Sequence, residues 1–258
     1  NTTIDSDGDG IQDQDDAFPL DPNVAFELFT PSKYGTGTIA FEDLWPSYGD
    51  YDFNDVALNY QIIMKLNAQN LAVQMDIICR VKANGAGFTN GIGIEIPNLS
   101  PSQIKSVSGT ILTENYITVN TNGTEANQQH AVIILTDAAK NLLAEHTISI
   151  KFTQPISTVA LGIAPFNPFI IANKERKKEI HLPYSKPTSL GDSTIKIVGV
   201  NRDIRGNYVS DEGMPWGISF LHDFKVPEEK VNITEAYNFF IQWANSGGTL
   251  YSDWYKDN

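Results

Sequence analysis

Two stretches of the chain place apolar side chains at every second position. Val56, Leu58, Tyr60, Ile62 and Met64 alternate with Ala57, Asn59, Gln61 and Ile63. Leu71, Val73, Met75, Ile77, Cys79 and Val81 alternate with Ala72, Gln74, Asp76, Ile78 and Arg80. Successive side chains on a strand point to opposite faces, so each run buries one face. The polar residues 67–70 between them form a short turn, and the pair reads as a long antiparallel hairpin. Further strands are predicted at 92–96, 105–112, 116–119, 131–135, 147–152 and 157–163, separated by Gly, Pro and Asn. This pattern predicts an all-β fold: an antiparallel β-sandwich or jelly roll, as one sandwich or two packed together.

The last third is less regular, with strands expected at 193–200 and 216–221. Residues 232–246 predict a helix. Asn232-Ile233-Thr234-Glu235 has the form of a capping box, Ala236, Tyr237, Phe240, Ile241 and Ala244 share one face, and Gly247-Gly248 follow. A shorter helix is expected over 137–145. The implied organisation is a loop and linker at 1–35, a β-sandwich at 36–165, and strands plus the terminal helix at 166–258. No apolar run reaches the roughly eighteen residues of a membrane span. No signal peptide is visible, but a start at Asn1 is compatible with loss of a leader or of upstream domains. Cys79 is the sole cysteine; intrachain disulfides are excluded, and its place in an alternating run makes it a core residue.

Charge is spread unevenly. Of the formal −13, residues 1–64 carry −12, thirteen acids against Lys33 alone, and the rest of the chain carries −1. Nucleic acid needs a basic face, which this balance does not offer. The acids stand at alternate positions with glycines between them, unlike a solvated acidic tail.

The spacing at the start of the chain carries the most specific chemistry. Residues 5–16 overlay a twelve-position calcium loop without a gap: Asp5, Asp7, Asp9, Asp13 and Asp16 fall at positions 1, 3, 5, 9 and 12. Ile11 supplies a backbone carbonyl at position 7, and Gly10 stands at position 6. Oxygens two residues apart in a tight turn point inward together, and Ca²⁺ takes six to eight of them. Asp16 replaces the usual glutamate and no helix pattern precedes the loop, so a calcium-sensing helix pair is not expected. The ion would brace a linker.

A second cluster runs from Glu42 and Asp43 to Asp50, Asp52, Asn54 and Asp55, directly before the first strand of the hairpin. All are oxygen donors, which favours calcium or magnesium over zinc or copper. The competing reading is that these side chains cap turns through backbone hydrogen bonds. Trp45, Tyr48 and Tyr51 beside the cluster either stack on a glycan or wedge the loop against the sheet.

These residues also carry a resemblance. Phe41-Glu42-Asp43-Leu44-Trp45 through Asp50-Tyr51-Asp52-Phe53-Asn54-Asp55-Val56 resembles the opening signature of LruC-domain proteins of Bacteroides-like cell envelopes. Asn167-Pro168-Phe169-Ile170, His181-Leu182-Pro183, Met214-Pro215-Trp216 and Asp253-Trp254-Tyr255 agree with it downstream, so that it spans roughly residues 36–256. Its C-terminal part looks like the uncharacterised domain usual in such proteins. Residues 5–22 separately resemble a thrombospondin type 3 calcium repeat. The resemblance implies a secreted or surface-anchored protein, often a lipoprotein, with no enzymatic activity established for the family. Carried over by residue, it marks Glu42, Asp43, Asp50, Asp52, Asn54 and Asp55. A lipid anchor upstream of residue 1 fits that location.

No zinc-protease spacing surrounds His130, His146, His181 or His222, and no nucleophile elbow or phosphate loop occurs. The expectation is a non-enzymatic, calcium-binding extracytoplasmic protein at the cell surface or outer membrane. Its role would be adhesion or interaction with a protein or glycan. The alternative is a carbohydrate-active enzyme or glycan-binding accessory domain, since two carboxylates across a cleft leave no sequence motif.

Overall fold

The computed structural model describes residues 4–85, 87–192, 194–195 and 201–256. Along them run β1 (Phe26–Thr30), β2 (Gly37–Phe41), β3 (Val56–Leu66), β4 (Leu71–Ala83), β5 (Gly91–Ile96), β6 (Ile104–Ser108), β7 (Ala131–Thr136), β8 (His146–Ser157), β9 (Asn167–Ile171), β10 (Glu179–His181) and β11 (Gly217–Phe220). They pair antiparallel in two open sheets. The larger has seven strands in the order β11-β2-β3-β4-β8-β6, with β1 on the same edge of β3 as β2. The smaller has the order β10-β9-β5-β7. The predicted all-β sandwich is the observed class.

The β3–β4 hairpin follows from its alternation, with one local difference. Leu66 pairs with Ala72 and Lys65 with Gln74, which makes Val73 an extra residue in β4. The bulge reverses the facing of the strand start, so Ala72 is buried and Val73 is not. From Met75 to Val81 the expected residues face inward.

Between the sheets, Ile39, Leu58 and Ile77 of the large sheet share one core with Ile92, Ile133 and Ile170 of the small one. The small sheet is covered on its outer face too, where Leu112, Tyr116 and Ile117 pack against Val132, Ile134, Phe169 and Ile171. Burial on both faces explains the near-continuous apolar runs of β5, β7 and β9.

Several expected elements differ. Residues 116–119 form no strand, Tyr116 and Ile117 lying in that cover, and the strand expected at 105–112 stops at Ser108. β8 continues to Ser157, whose hydroxyl then accepts from the Ala160 N–H (3.2 Å) and caps α1 (Thr158–Leu161) where a strand was expected. A single 3₁₀ turn, Ala139–Leu142, replaces the helix over 137–145. The strand expected at 193–200 lies outside the described residues, Thr194 and Ile195 apart.

The C-terminal helix is broken into α2 (Ile233–Ala236) and α3 (Phe240–Asn245). Tyr237 between them is extended (φ −136°). Its ring packs against Phe224 and Trp254, and its hydroxyl donates to the Lys225 carbonyl (2.7 Å). Tertiary packing of this ring overrides helix continuation. The two helices close an aromatic cluster, including Phe53, Phe220, Phe224, Phe240 and Trp254, separate from the inter-sheet core.

Candidate metal centres

The first loop curls as its spacing implies. Asp5, Asp7 and Asp9 each bring a carboxylate oxygen within 4.8 Å of the others. Asp5 Oδ1 accepts from the Gly8 N–H (2.7 Å) and Oδ2 from the Gly10 N–H (3.1 Å). Both glycines have left-handed φ, +80° and +98°, which a side chain would oppose. Three oxygens remain: Asp7 Oδ2, Asp9 Oδ2 and Asp16 Oδ2 are shielded from solvent with no hydrogen-bond partner among the described residues. Desolvation and the charges of Asp9, Asp16 and Asp5 hold the Asp7 carboxyl above its ordinary range. A hard dication shared among these oxygens would relieve both costs, so the donor set fits calcium.

The other predicted residues of the loop make contacts of their own. Asp13 turns back, accepting from the Ser6 N–H and hydroxyl at 2.7 Å each, and so braces the loop. Ile11 donates its N–H to Asp9 Oδ1 (2.8 Å). The loop is fastened to the sheet through Ala17 N–H to the Ala25 carbonyl and Ala25 N–H to the Leu66 carbonyl, at the far end of β3.

The second cluster splits into two. Glu42, Asp50 and Asp52 bring oxygens within 4.8 Å of one another, and Glu42 is fully buried. Its carboxylate accepts from the N–H groups of Tyr51 (3.1 Å) and Phe53 (2.7 Å). Those residues adopt φ of +56° and +54°, unusual for aromatic side chains, and so aim two backbone donors at one anion. Gly49 closes over the same carboxylate; a Cβ there would lie 2.2 Å from Glu42 Oε2. Burial, then the charges of Asp55, Asp52 and Asp50, push the Glu42 carboxyl well above its ordinary range. Asp52 also accepts from the Asn54 N–H (3.1 Å) and the Lys230 N–H (2.8 Å).

Asn54 Oδ1 is buried without a partner among the described residues. It and Glu229 Oε2 both approach the bare Cα of Gly85, where a Cβ would meet them at 2.1 and 2.6 Å. Glu229 is a nearby oxygen donor that local spacing could not reveal. Asp43 and Asp55 form the other half. Asp55 Oδ2 accepts from the Asp43 N–H (2.8 Å), and Asp43 Oδ2 from Asn90 Nδ2 (2.7 Å). Burial and the Asp43 charge raise Asp55 to about 7, while burial raises Asp43 against the opposing pull of Asn90 and Lys178.

The clusters therefore lie at opposite ends of one strand. Eleven residues of β3 separate them, roughly 35 Å at strand rise. Between the two readings of the neighbouring aromatics, Trp45 and Tyr51 are wedges. Trp45 is buried with Nε1 donating to Asp203 Oδ2 (2.9 Å), and Tyr51 packs on Phe53 and Trp216. Tyr48 lies beneath the Arg202 guanidinium, 4.8 Å from the ring centre. Cys79 is buried, and burial pushes its thiol up to about 12, as suits a core residue.

No helix among the described residues is long and apolar enough to cross a membrane. No curated protein matches the chain. The fold is similar to the crystal structure, at 2.08 Å, of a "putative lipoprotein" from Bacteroides ovatus. The TM-score is 0.61 at 19% identity, over 90% of this chain and 74% of that one. The family model of a domain of unknown function, DUF4842, matches residues 70–255. Both acidic clusters precede the matched region, which itself makes up more than half of the chain, and the protein belongs to the DUF4842 family.

Proposed function

We propose that this is a calcium-stabilised, extracytoplasmic interaction module of the bacterial cell surface, non-enzymatic, with Ca²⁺ as a structural ion. The observation that carries the reading is the set of solvent-shielded, unpartnered oxygens on Asp7, Asp9 and Asp16 beside Asp5. Hydrogen bonds within the loop occupy only part of its carboxylate oxygens, which favours an ion over turn capping alone. The all-oxygen donor set selects a hard cation. Glu42, Asp50 and Asp52 form a second, more deeply buried set that would take an ion of the same class.

The two ions would have different work. The first would brace the linker against the end of β3, and the second would pin the start of that strand to the segment around Lys230. The resemblance to LruC-domain and thrombospondin type 3 sequences supports the calcium and envelope readings. The fold shared with the Bacteroides ovatus protein is consistent with attachment through a lipid anchor. The partner is a protein or glycan at that surface.

Paired variants of the full chain test the two-site reading. Asp7→Asn with Asp9→Asn, and Asp50→Asn with Asp52→Asn, should each reduce the calcium-induced rise in thermal midpoint without abolishing it. If the second pair leaves the rise unchanged, the ion is confined to the first loop. If neither pair changes it, neither cluster binds calcium.

A further inference from the structure

We propose that the end of the small sheet formed by the loops after β5 and β10 and before β7 and β9 is a binding pocket for a neutral saccharide. Antiparallel pairing brings these four strand ends together. They enclose a cavity of about 540 Å³ whose lining includes Glu95, Gln129, His130, Phe166, Asn167 and Lys186. That volume is typical of small-molecule sites.

The floor of the pocket is held by a chain of buried polar groups. Glu95 and Asn167 are 5% and 7% exposed. Asn167 Nδ2 donates to Glu95 Oε2 (2.7 Å) and to the Lys186 carbonyl (2.9 Å). Both amide hydrogens are thus committed, and Asn167 Oδ1 accepts from His181 Nδ1 (2.8 Å). His181 Nε2 in turn lies 2.9 Å from Glu179 Oε2, and the ring has no exposed surface. Glu179 is shared by Arg176 and Thr188, and Arg176 continues to Glu125. Gln128 donates to Glu125 and Thr188 and accepts from the Ser189 N–H, while the Gln129 N–H donates to Ser189 Oγ.

Apolar residues would fill this interior at lower desolvation cost. What the network supplies is fixed geometry: it locks the loops at 128–130 and 185–189 to each other and orients Glu95 before any ligand arrives. Preorganised walls lower the ordering cost of binding. The lining chemistry selects the ligand class. Glu95 accepts hydroxyl donors, Lys186 and Gln129 donate to hydroxyl oxygens, and the half-buried Phe166 ring offers a face to sugar C–H groups. An anion would meet the Glu95 carboxylate and a cation the Lys186 ammonium, which leaves a neutral polyhydroxylated molecule. Glu95 is the one carboxylate among the described lining residues, whereas glycoside hydrolysis ordinarily uses two. The chemistry is binding.

Saturation-transfer NMR on the full chain tests this with neutral hexoses, N-acetylhexosamines and their β-linked disaccharides. Transfer to the ring protons of at least one sugar is expected. Glu95→Gln and Gln129→Ala should each weaken that sugar's affinity, Glu95→Gln by about tenfold or more. Gln129 is exposed, so its variant reports on binding even if the Glu95 variant folds poorly. Absence of transfer from every sugar, or undiminished affinity in the Gln129→Ala variant, overturns the proposal.

Discussion

Asp55 carries a pH signature that can be read directly. Its folded carboxyl titrates at about 7 against an ordinary 3.8, because it is buried and faces Asp43. Between those values the folded chain holds a proton that the unfolded chain has released, so stability falls as pH rises across that window. Glu42, raised by burial and by Asp55, acts in the same direction. Asp76 and Glu179 are held below the ordinary carboxylate range, so their contribution is lost only at more acid pH. In chelator, thermal midpoints should therefore decline from about pH 4 to about pH 7, and Asp55→Asn should flatten the decline. An equally steep decline in the variant would assign it to other groups. The convergence of the Asp5, Asp7 and Asp9 carboxylates was legible because local turn spacing places them. The donors that Tyr51 and Phe53 aim at Glu42 were not, since nothing in their identity signals a left-handed backbone. The two short hydrogen bonds from Ser6 to the Asp13 carboxylate were not legible either, because the spacing rule carries no information about them.

Among elements, the hairpin was legible because one face of it is buried along most of its length. The bulge at Val73 was hidden, because alternation carries no mark of an inserted residue. β2 and β9 were missed: each is buried throughout its five residues, so no period of two appears, and neither is as rich in Ile, Val and Leu as the equally buried β5 and β7. The helix was legible as an apolar stripe but not as two pieces, since the break at Tyr237 serves a cluster assembled from distant residues. Trp254 stands at the centre of that cluster, 1% exposed and within 6 Å of the rings of Phe220, Phe224, Tyr237, Phe240 and Trp243. Trp254→Ala should cost about 3–5 kcal/mol, measured by denaturant unfolding. A loss below about 1 kcal/mol would show that α2, α3 and the C-terminal turn dock only loosely.

At the scale of the whole molecule, the DUF4842 match begins at Asn70, inside the hairpin turn. The matched region alone would leave β4 without β3 and β11 without β2, so the large sheet needs the acidic N-terminal segment to be complete. That segment places one candidate ion set at each end of β3, where bound calcium would fasten the strand that joins the two regions. The direct measurement is the thermal midpoint of the full chain at neutral pH, with roughly 1 mM calcium and with excess EDTA. Ligand present at about a hundred times its Kd adds about 2.7 kcal/mol, and at this chain length each kcal/mol raises the midpoint by about 2–4 °C. A calcium-dependent rise of several degrees, reversed by EDTA, is the predicted result. Superimposable melts would contradict structural calcium binding.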